Sequence, residues 1–170
     1  NSSIVYFDIM SVFLMGVDAY LFLDSEIHLA SDLLHRHSNK PRAIAMSSIL
    51  LVTSSPRGEA SRSSKVARQV ADAIVSADSG RTILHRDLGK SPLPHIDAVF
   101  TSAIRKPAES RSEAELAAAA LSDVLVDELL AADTVVIGTG LINFNIYSTL
   151  KSWIDHVARS GKTFRYSENG

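Results

Sequence analysis

The stretch SILLVTSSPRGEASRSSKVARQVADAIV, residues 48–75, passes from a strand-like segment to a helix-like segment through a loop rich in serine. Residues 48–54 form a short apolar run, which is typical of a parallel strand covered on both faces. Val66, Val70 and Ile74 then recur at four-residue spacing and predict a helix with one apolar face. The stretch therefore predicts the first strand and helix of an α/β sheet.

The alternation of strand and helix continues toward the carboxyl end. Residues 81–88 (RTILHRDL) and 133–140 (DTVVIGTG) predict two further strands, and residues 91–112 predict a long connection over the surface. A helix is predicted from about Glu113 to Leu130, with an inward face formed by Leu121, Val124, Leu125 and Leu129. The last predicted helix ends near Gly161, and its apolar face contains Ile146, Leu150, Trp153, Ile154 and Val157. This order predicts a doubly wound parallel sheet with right-handed crossovers.

Composition restricts the classes of function. With 46% hydrophobic and 21% charged residues among 170, the chain resembles a soluble globular protein with one sizeable core. A net charge of -2 gives no basic face, so no nucleic-acid partner is predicted. The sequence contains no cysteine, which excludes disulfides, a thiol nucleophile and thiolate metal sites, and is compatible with a cytoplasmic protein.

Residues 4–23 form an apolar run that raises the question of a membrane span. No basic segment precedes this run, and Asp8 and Asp18 would each cost about 2.5–3.5 kcal/mol near the centre of a bilayer. No membrane partner is therefore predicted, and a membrane-facing appendage is the alternative.

The regular pattern of strands and helices begins at Met46. The chain is therefore predicted to consist of an N-terminal extension, residues 1–45, and one domain, residues 46–170. His35 and His37 lie two residues apart in the extension, but no supporting pattern surrounds them, and no metal site is predicted.

The loop after the first predicted strand offers many hydroxyl groups. Ligands of parallel α/β sheets bind beyond the carboxyl ends of the strands, and a helix N-terminus flanked by serines suits a phosphate. Gly58 permits backbone angles that bring successive N–H groups together. The loop lacks the glycine pattern of dinucleotide folds and the P-loop lysine. A flavin mononucleotide phosphate fits it better, because doubly wound folds of the flavodoxin type bind that phosphate at this kind of loop. The simpler interpretation is that Ser61 or Ser63 only caps the helix, which is worth about 1 kcal/mol.

Motifs in the last third of the chain indicate a family. They are Asn-Phe-x-Ile at residues 143–146, L-K-x-x-I-D-x-V-A-R-x-G at residues 150–161 and T-F-x-Y-x-E-x-G at residues 163–170. In this order, and together with the serine loop and L-S-D-x-L-x-x-E-L at residues 121–129, they resemble the FMN-dependent NADH-azoreductases, a branch of the flavodoxin-like quinone reductases. The resemblance covers residues 47–170 and implies a flavodoxin-like fold.

The resemblance also implies a cofactor, a reaction and a site. The cofactor is FMN, and the reaction is the two-electron reduction of quinones and azo compounds by NADH in a ping-pong cycle, catalysed by a homodimer without an essential catalytic side chain. The implied phosphate-binding residues are Ser54, Ser61, Arg62 and Ser63, with Ser55 as the alternative to Ser54. The implied neighbours of the flavin ring are Leu141, Ile142, Asn143 and Phe144.

Several residues have a simpler interpretation beside the implied one. Without the resemblance, Phe144 is predicted to be a core residue and Asn143 a helix cap, while Arg62 is a solvated helix residue as readily as a phosphate ligand. Asp155 and His156 are predicted to be surface residues rather than an acid–base pair.

The chain departs from the family pattern in three places. It has Gly140, Leu141 and Ile142 where the family usually has proline, methionine and tyrosine, and Ile142 supplies neither an aromatic face nor a hydroxyl. Tyr147 stands where relatives often have proline. Family members continue beyond the position of Gly170 with two more strands, so the chain is expected to be a truncated form whose last strand, residues 133–140, presents a bare apolar edge. The alternative functions are a flavodoxin-like electron carrier and an inactive fragment of the enzyme.

Overall fold

The structure, a computed structural model, describes residues 12–16, 20–22 and 48–165. The strands of its main sheet are β1 (Val12–Gly16), β2 (Tyr20–Phe22), β3 (Ser48–Thr53), β4 (Thr82–Asp87) and β5 (Thr134–Gly138). They lie in the order β2-β1-β5-β3-β4. β3 pairs in parallel with both β4 and β5, which confirms the predicted parallel α/β sheet.

Within the described ranges, the α-helices are α1 (Arg62–Ala77), α2 (Ala98–Ala103), α3 (Glu113–Ala131) and α4 (Ser148–Val157). Ile49 and Leu51 of β3 pack against α1 on one face of the sheet. Leu50 and Val52 belong to the core on the other face, where α3 and α4 lie. The central strand is apolar throughout because helices cover it on both sides.

The inward face of α3 differs from the predicted one. Leu125 is buried, whereas Leu121 and Val124 are 36% and 54% exposed. The fully buried Ser122 belongs to this face instead, and its hydroxyl donates a hydrogen bond of 2.6 Å to the carbonyl oxygen of His156. A prediction from large apolar residues missed this face because a small polar side chain makes the contact with α4.

α4 ends at Val157 and not near Gly161, as the sequence predicted. The buried Arg159 explains the early end, since its Nη1 donates to Ser122 Oγ at 2.6 Å and to Asp123 Oδ1 at 3.2 Å. The chain leaves the helix to bring this guanidinium against α3. Gly161, with a φ of 80°, lies in the turn that follows.

The connection between β4 and α3 packs on α4. His156 Nε2 donates to the carbonyl oxygen of Pro94 at 3.1 Å, and the His156 ring contacts Phe100 edge-on with 4.8 Å between ring centroids. The predicted surface position of His156 is therefore wrong. Ile154, predicted to be inward, is 37% exposed because the buried face of α4 is the one that carries Trp153, His156 and Val157.

The edge of β5 that the sequence analysis left bare is paired in the structure. β1 runs antiparallel to β5, from Val12 opposite Gly138 to Gly16 opposite Thr134. Pairing there is favourable because an open edge leaves a row of N–H and C=O groups without partners. β1 belongs to the predicted extension, and the division of the chain at Met46 stays a prediction.

The predicted apolar run at residues 4–23 lies mostly outside the described residues, as do His35, His37 and residues 166–170 of the last family motif. Among the helices that the structure does describe, none combines the length and the apolar character that a membrane span requires.

Candidate functional site

The carboxyl ends of β3 and β5 bring two predicted site segments together. The Ser54 N–H donates to the carbonyl oxygen of Gly138 at 3.1 Å, and the Ser54 hydroxyl donates to Thr139 Oγ1 at 2.9 Å. Both side chains are buried. The serine loop, residues 54–64, therefore meets the segment after β5 at the edge of the sheet where α/β proteins bind ligands.

The serine loop is held by its own hydrogen bonds. Ser55 Oγ accepts from the Arg57 N–H at 3.3 Å, and the Ser55 carbonyl oxygen accepts from the Gly58 N–H at 3.2 Å. Gly58 has a φ of 53°, a left-handed conformation that glycine adopts without strain. The buried hydroxyl of Ser55 thus stabilises the turn.

Ser61 and Ser63 form a buried pair of hydroxyls at the start of α1. Ser61 is the N-cap residue, and its Oγ accepts from the Ser64 N–H at 3.3 Å. The two Oγ atoms are 3.0 Å apart, so one hydroxyl hydrogen joins them. The other hydroxyl hydrogen has no acceptor among the described residues and is available to a ligand. Capping and phosphate binding are therefore compatible at Ser61, and the two interpretations need not exclude each other.

A glycine allows the start of α1 to lie directly against β5. A Cβ atom on Gly138 would lie 2.7 Å from the Ala67 Cβ and 3.0 Å from the Ser63 carbonyl oxygen. Arg62 is exposed in the first turn of α1. Its predicted contact with a phosphate stays a prediction, as do the predicted contacts of the serines.

The second site segment is a small hairpin that projects from the sheet. β6 (Leu141–Ile142) pairs antiparallel with β7 (Asn145–Ile146), and we call residues 141–146 the hairpin. Its two turn residues have positive φ, 49° at Asn143 and 63° at Phe144. This is the pattern of a type I′ turn, in which glycine normally occupies the second position.

Phe144 is the exceptional residue of the hairpin. Its relative exposure is 104%, and bulky side chains rarely adopt its left-handed backbone conformation. The interpretation of Phe144 as a core residue and of Asn143 as a helix cap is therefore wrong. Strained conformations of this kind cost about 1–3 kcal/mol and are concentrated at functional sites. A ligand that covers the phenyl ring would explain why the chain presents it here.

Two threonines that the sequence analysis did not identify connect these segments. Thr139 accepts the hydrogen bond from Ser54, and Thr149 Oγ1, near the start of α4, donates to the Ser54 carbonyl oxygen at 3.2 Å. Every polar group of Ser54 is therefore engaged in holding β3, β5 and α4 together. The position of Thr149 close after a loop was the only sequence signal for this role.

A histidine on β4 supports the last residue of β3. Arg68 Nη2 lies 2.9 Å from His85 Nδ1, and Thr53 Oγ1 lies 2.9 Å from His85 Nε2. Arginine only donates hydrogen bonds, so Nδ1 accepts and Nε2–H donates to Thr53. Burial and the nearby Arg68 charge lower the pKa of His85, which favours this neutral form.

The described part of the chain gives little support to acid–base catalysis by Asp155 and His156 or to a metal site. Asp155 forms an ion pair of 2.5 Å with Lys151, one turn earlier on α4, and His156 is buried against Pro94. No group of three or more potential metal ligands occurs among residues 12–16, 20–22 and 48–165.

The residues present fit the phosphate and ring of FMN. The unused hydroxyl hydrogen of the Ser61–Ser63 pair lies at the positive end of a 16-residue helix, which suits a phosphate dianion. The exposed Phe144 ring offers an apolar face. The helix N-terminus and the hairpin lie at the carboxyl edge of a parallel sheet, which is where α/β domains bind their ligands, and this arrangement defines the class of a doubly wound α/β domain.

Comparison with known proteins specifies this class further. The family model for the flavodoxin-like fold matches residues 47–170. The chain therefore belongs to the flavodoxin-like fold family, and the fold that the sequence predicted is confirmed.

The relatives of the chain are redox enzymes. It is 62% identical over 125 residues to an FMN-dependent NADH:quinone oxidoreductase of Agrobacterium fabrum, covering 74% of this chain and 61% of the relative. It is 45% identical to an FMN-dependent NADH:quinone oxidoreductase 2 of Pseudomonas putida, covering 74% of this chain and 63% of the relative. The predicted resemblance is confirmed, and the chain spans about three fifths of the length of these relatives.

Two solved structures of azoreductases are also similar to this chain. An azoreductase from Bacillus anthracis strain Sterne has a TM-score of 0.66 and 29% identity, covering 74% of this chain and 62% of that one. An FMN-dependent NADH-azoreductase from Bacillus anthracis strain Ames Ancestor, in complex with FMN, has a TM-score of 0.65 and 27% identity, covering 74% of this chain and 61% of that one.

Proposed function

We propose that this chain forms the FMN-binding part of an NADH:quinone oxidoreductase that also reduces azo compounds. The observation that carries the proposal is the junction at Ser54, which places the serine loop beside the segment that leads into the hairpin. The names of the relatives, FMN-dependent NADH:quinone oxidoreductases and azoreductases, support the cofactor and the reaction. The activity and substrates belong to the proposal because the chain spans only part of those relatives.

In this proposal the serine loop binds the FMN phosphate. Ser61 and Ser63 provide the free hydroxyl hydrogen, and the N-terminus of α1 provides a positive potential. Ser54 and Ser55 keep the loop in shape, and Arg62 adds positive charge from the exposed first turn. No residue of the loop needs to change protonation state for this role.

The hairpin contacts the flavin ring. Leu141 and Ile142 are each 48% exposed and Phe144 is fully exposed, so the hairpin offers apolar side chains that a planar ring can contact. Asn143 places a polar side chain beside this surface. When bound, FMN would accept hydride from NADH and supply two electrons to a quinone or azo compound. The role of the chain is to orient the ring and exclude water from one side of it.

A homodimer and a cytoplasmic location belong to the same proposal. Three large apolar side chains of α3 are exposed, Leu116 at 47%, Val124 at 54% and Leu130 at 60%. Exposed apolar side chains mark the interfaces of many proteins, and a second copy of the chain is the partner we propose. The cytoplasm is where NADH is available. No membrane or nucleic acid takes part.

Flavin titration tests the proposal. Purified protein is titrated with FMN and with riboflavin, and the absorbance and fluorescence of the flavin are followed. We expect FMN to bind at least about tenfold more tightly, because the serine loop recognises the phosphate. Equal affinities, or no binding of either flavin, would contradict the proposed cofactor.

Anaerobic addition of NADH then separates the enzyme from an electron carrier of the flavodoxin type. We expect NADH to bleach the bound flavin within seconds and a quinone to restore its colour. Flavin that stays oxidised in the presence of NADH, but passes electrons to a protein acceptor after chemical reduction, would favour the carrier.

A further inference from the structure

Few contacts hold the hairpin in place apart from those at its base. Leu141, Ile142, Asn143, Phe144 and Asn145 are all exposed, and only Ile146 packs against the core. β6 and β7 each contain two residues, so their pairing alone is a weak constraint. The direction in which the hairpin projects must therefore be decided where its two ends join the domain.

A glycine and a tyrosine face each other at this base. Gly140 precedes β6 and Tyr147 follows β7. A Cβ atom on Gly140 would lie 3.2 Å from Tyr147 Oη, 3.4 Å from Cε2 and 3.7 Å from Cζ. The phenol ring thus lies over the glycine, in space that any other residue at position 140 would partly fill.

The backbone of Tyr147 is itself rigid. Tyr147 is the N-cap residue of α4, and its carbonyl oxygen accepts from the Leu150 and Lys151 N–H groups at 3.0 and 3.1 Å. The first turn of α4 is joined in turn to the serine loop by the Thr149–Ser54 hydrogen bond. Through its contact with Gly140, the Tyr147 side chain therefore connects the first end of the hairpin to the first turn of α4.

We propose that Tyr147 is a positioning residue, whose ring packs on Gly140 and joins the two ends of the hairpin. The contact fixes the direction in which Asn143 and Phe144 project. The inference rests on the proposed function only in that the flavin ring lies along the hairpin. The phenol hydroxyl forms no hydrogen bond with another described residue, so the side chain holds Gly140 by packing and not by a hydrogen bond.

Substitutions that remove the Tyr147 ring, keep it or crowd it can test the contact with Gly140. Tyr147→Ala removes the ring, Tyr147→Phe keeps it, and Gly140→Ala pushes against it. Ser148→Ala, at the exposed neighbouring position, is the matched control. Tyr147→Leu replaces Tyr147→Ala if the alanine variant does not fold.

The first measurement needs no flavin. Amide hydrogen exchange is measured by NMR for residues 141–146 and for β3 in the same samples. We expect Tyr147→Ala and Gly140→Ala to raise exchange in the hairpin about tenfold and to leave β3 unchanged. Tyr147→Phe and Ser148→Ala should stay within about twofold of the parent. Unchanged hairpin exchange in Tyr147→Ala, or a tenfold rise in Tyr147→Phe, would overturn the proposal.

The second measurement concerns the flavin. We expect Tyr147→Ala to weaken the visible circular dichroism of bound FMN, because the ring loses its fixed partner. The ratio of FMN to riboflavin affinity should stay unchanged, since the serine loop is untouched. Faster exchange with an unaltered flavin spectrum would refute the positioning role. If the parent binds no FMN, the proposed function fails, and the exchange rates still decide whether Tyr147 joins the ends of the hairpin.

Discussion

The serine loop and the hairpin lie at the same edge of the sheet but are built in opposite ways. In the serine loop, Ser54, Ser55, Ser61 and Ser63 are buried and hydrogen-bonded to each other or to neighbouring backbone and side chains. In the hairpin, residues 141–145 are exposed, and both turn residues have left-handed backbone conformations. The serine loop is held by its own hydrogen bonds, whereas the hairpin presents exposed side chains on a left-handed turn.

Under the proposed function, the difference matches the chemistry of the two parts of FMN. A phosphate needs hydrogen-bond donors at fixed positions, and donors keep their positions only when the surrounding backbone is rigid. A flavin ring needs a flat apolar surface, which has to be exposed before the ring binds. We therefore expect changes in the serine loop to act on phosphate recognition and changes in the hairpin to act on the ring.

The largest expected effect comes from the Ser61→Ala/Ser63→Ala double variant. FMN binding should weaken by about 1.5–3 kcal/mol, the value of the one hydrogen bond that the Ser61–Ser63 pair can donate to a charged phosphate. Riboflavin should bind almost equally to variant and parent, which equilibrium titration of both flavins measures. Ser76→Ala, at the other end of α1, is the control. Unchanged FMN affinity would mean that the serines only cap the helix.

Gly138→Ala tests whether the serine loop depends on close packing. The new Cβ would meet Ala67 at 2.7 Å, and such overpacking costs about 1–3 kcal/mol of unfolding free energy. Because the start of α1 must move, FMN affinity should fall together with stability. Urea unfolding and FMN titration are the measurements.

Gly80→Ala is the matched control for this substitution, since its Cβ would meet only Asp78 Oδ1 at an ordinary 3.5 Å. If both alanine variants are equally stable, β5 and α1 are less tightly packed than the structure shows.

Phe144→Gly should have opposite effects on stability and binding. Removal of the left-handed phenylalanine should raise the unfolding free energy by about 1 kcal/mol, because glycine adopts this conformation without strain. Loss of the ring should weaken the binding of FMN and of riboflavin alike. Asn143→Gly is the control and should stabilise less, because asparagine tolerates the left-handed region. A Phe144→Gly protein that is less stable than the parent would show that the ring serves the fold.

The smallest effect on the site is expected from Glu115, which lies in α3 and outside both segments. Hydrogen bonds from Lys106 (2.6 Å), Ser102 (2.6 Å) and the Ser112 N–H (2.8 Å) lower the pKa of Glu115 to about 2. A lowered pKa means that the ionised carboxylate stabilises the fold fully above its ordinary pKa of 4.5, and that this contribution is lost between pH 4.5 and about 2.

Glu115→Gln should therefore lower the thermal midpoint at pH 7, and the difference from the parent should shrink as the pH approaches 2. FMN affinity at pH 7 should not change. Glu113→Gln, in the same turn but exposed, serves as the control. A difference that persists unchanged at low pH would assign the stabilisation to something other than the charge.

The sequence predicted the elements whose signal is local. The apolar run of β3 and the four-residue spacing in α1 define a strand and a helix without knowledge of what they contact. The serines and the Asn-Phe-x-Ile motif indicated the two site segments, because the loops of a parallel sheet that bind ligands lie at one edge. Leu121, Val124 and Ile154 were placed wrongly, since the amphipathic pattern of a helix does not say which side its neighbours will cover.

The rest was decided by contacts between residues far apart in the chain. The buried His156 depends on Pro94, and the early end of α4 depends on Arg159 reaching Ser122. The exposed Phe144 and the contact of Tyr147 with Gly140 depend on a turn whose residues give no glycine signal. Periodicity records how a segment distributes its own apolar residues. The burial of a histidine, the end of a helix or the direction of a hairpin depends on which other segment arrives there, and only the tertiary structure decides that.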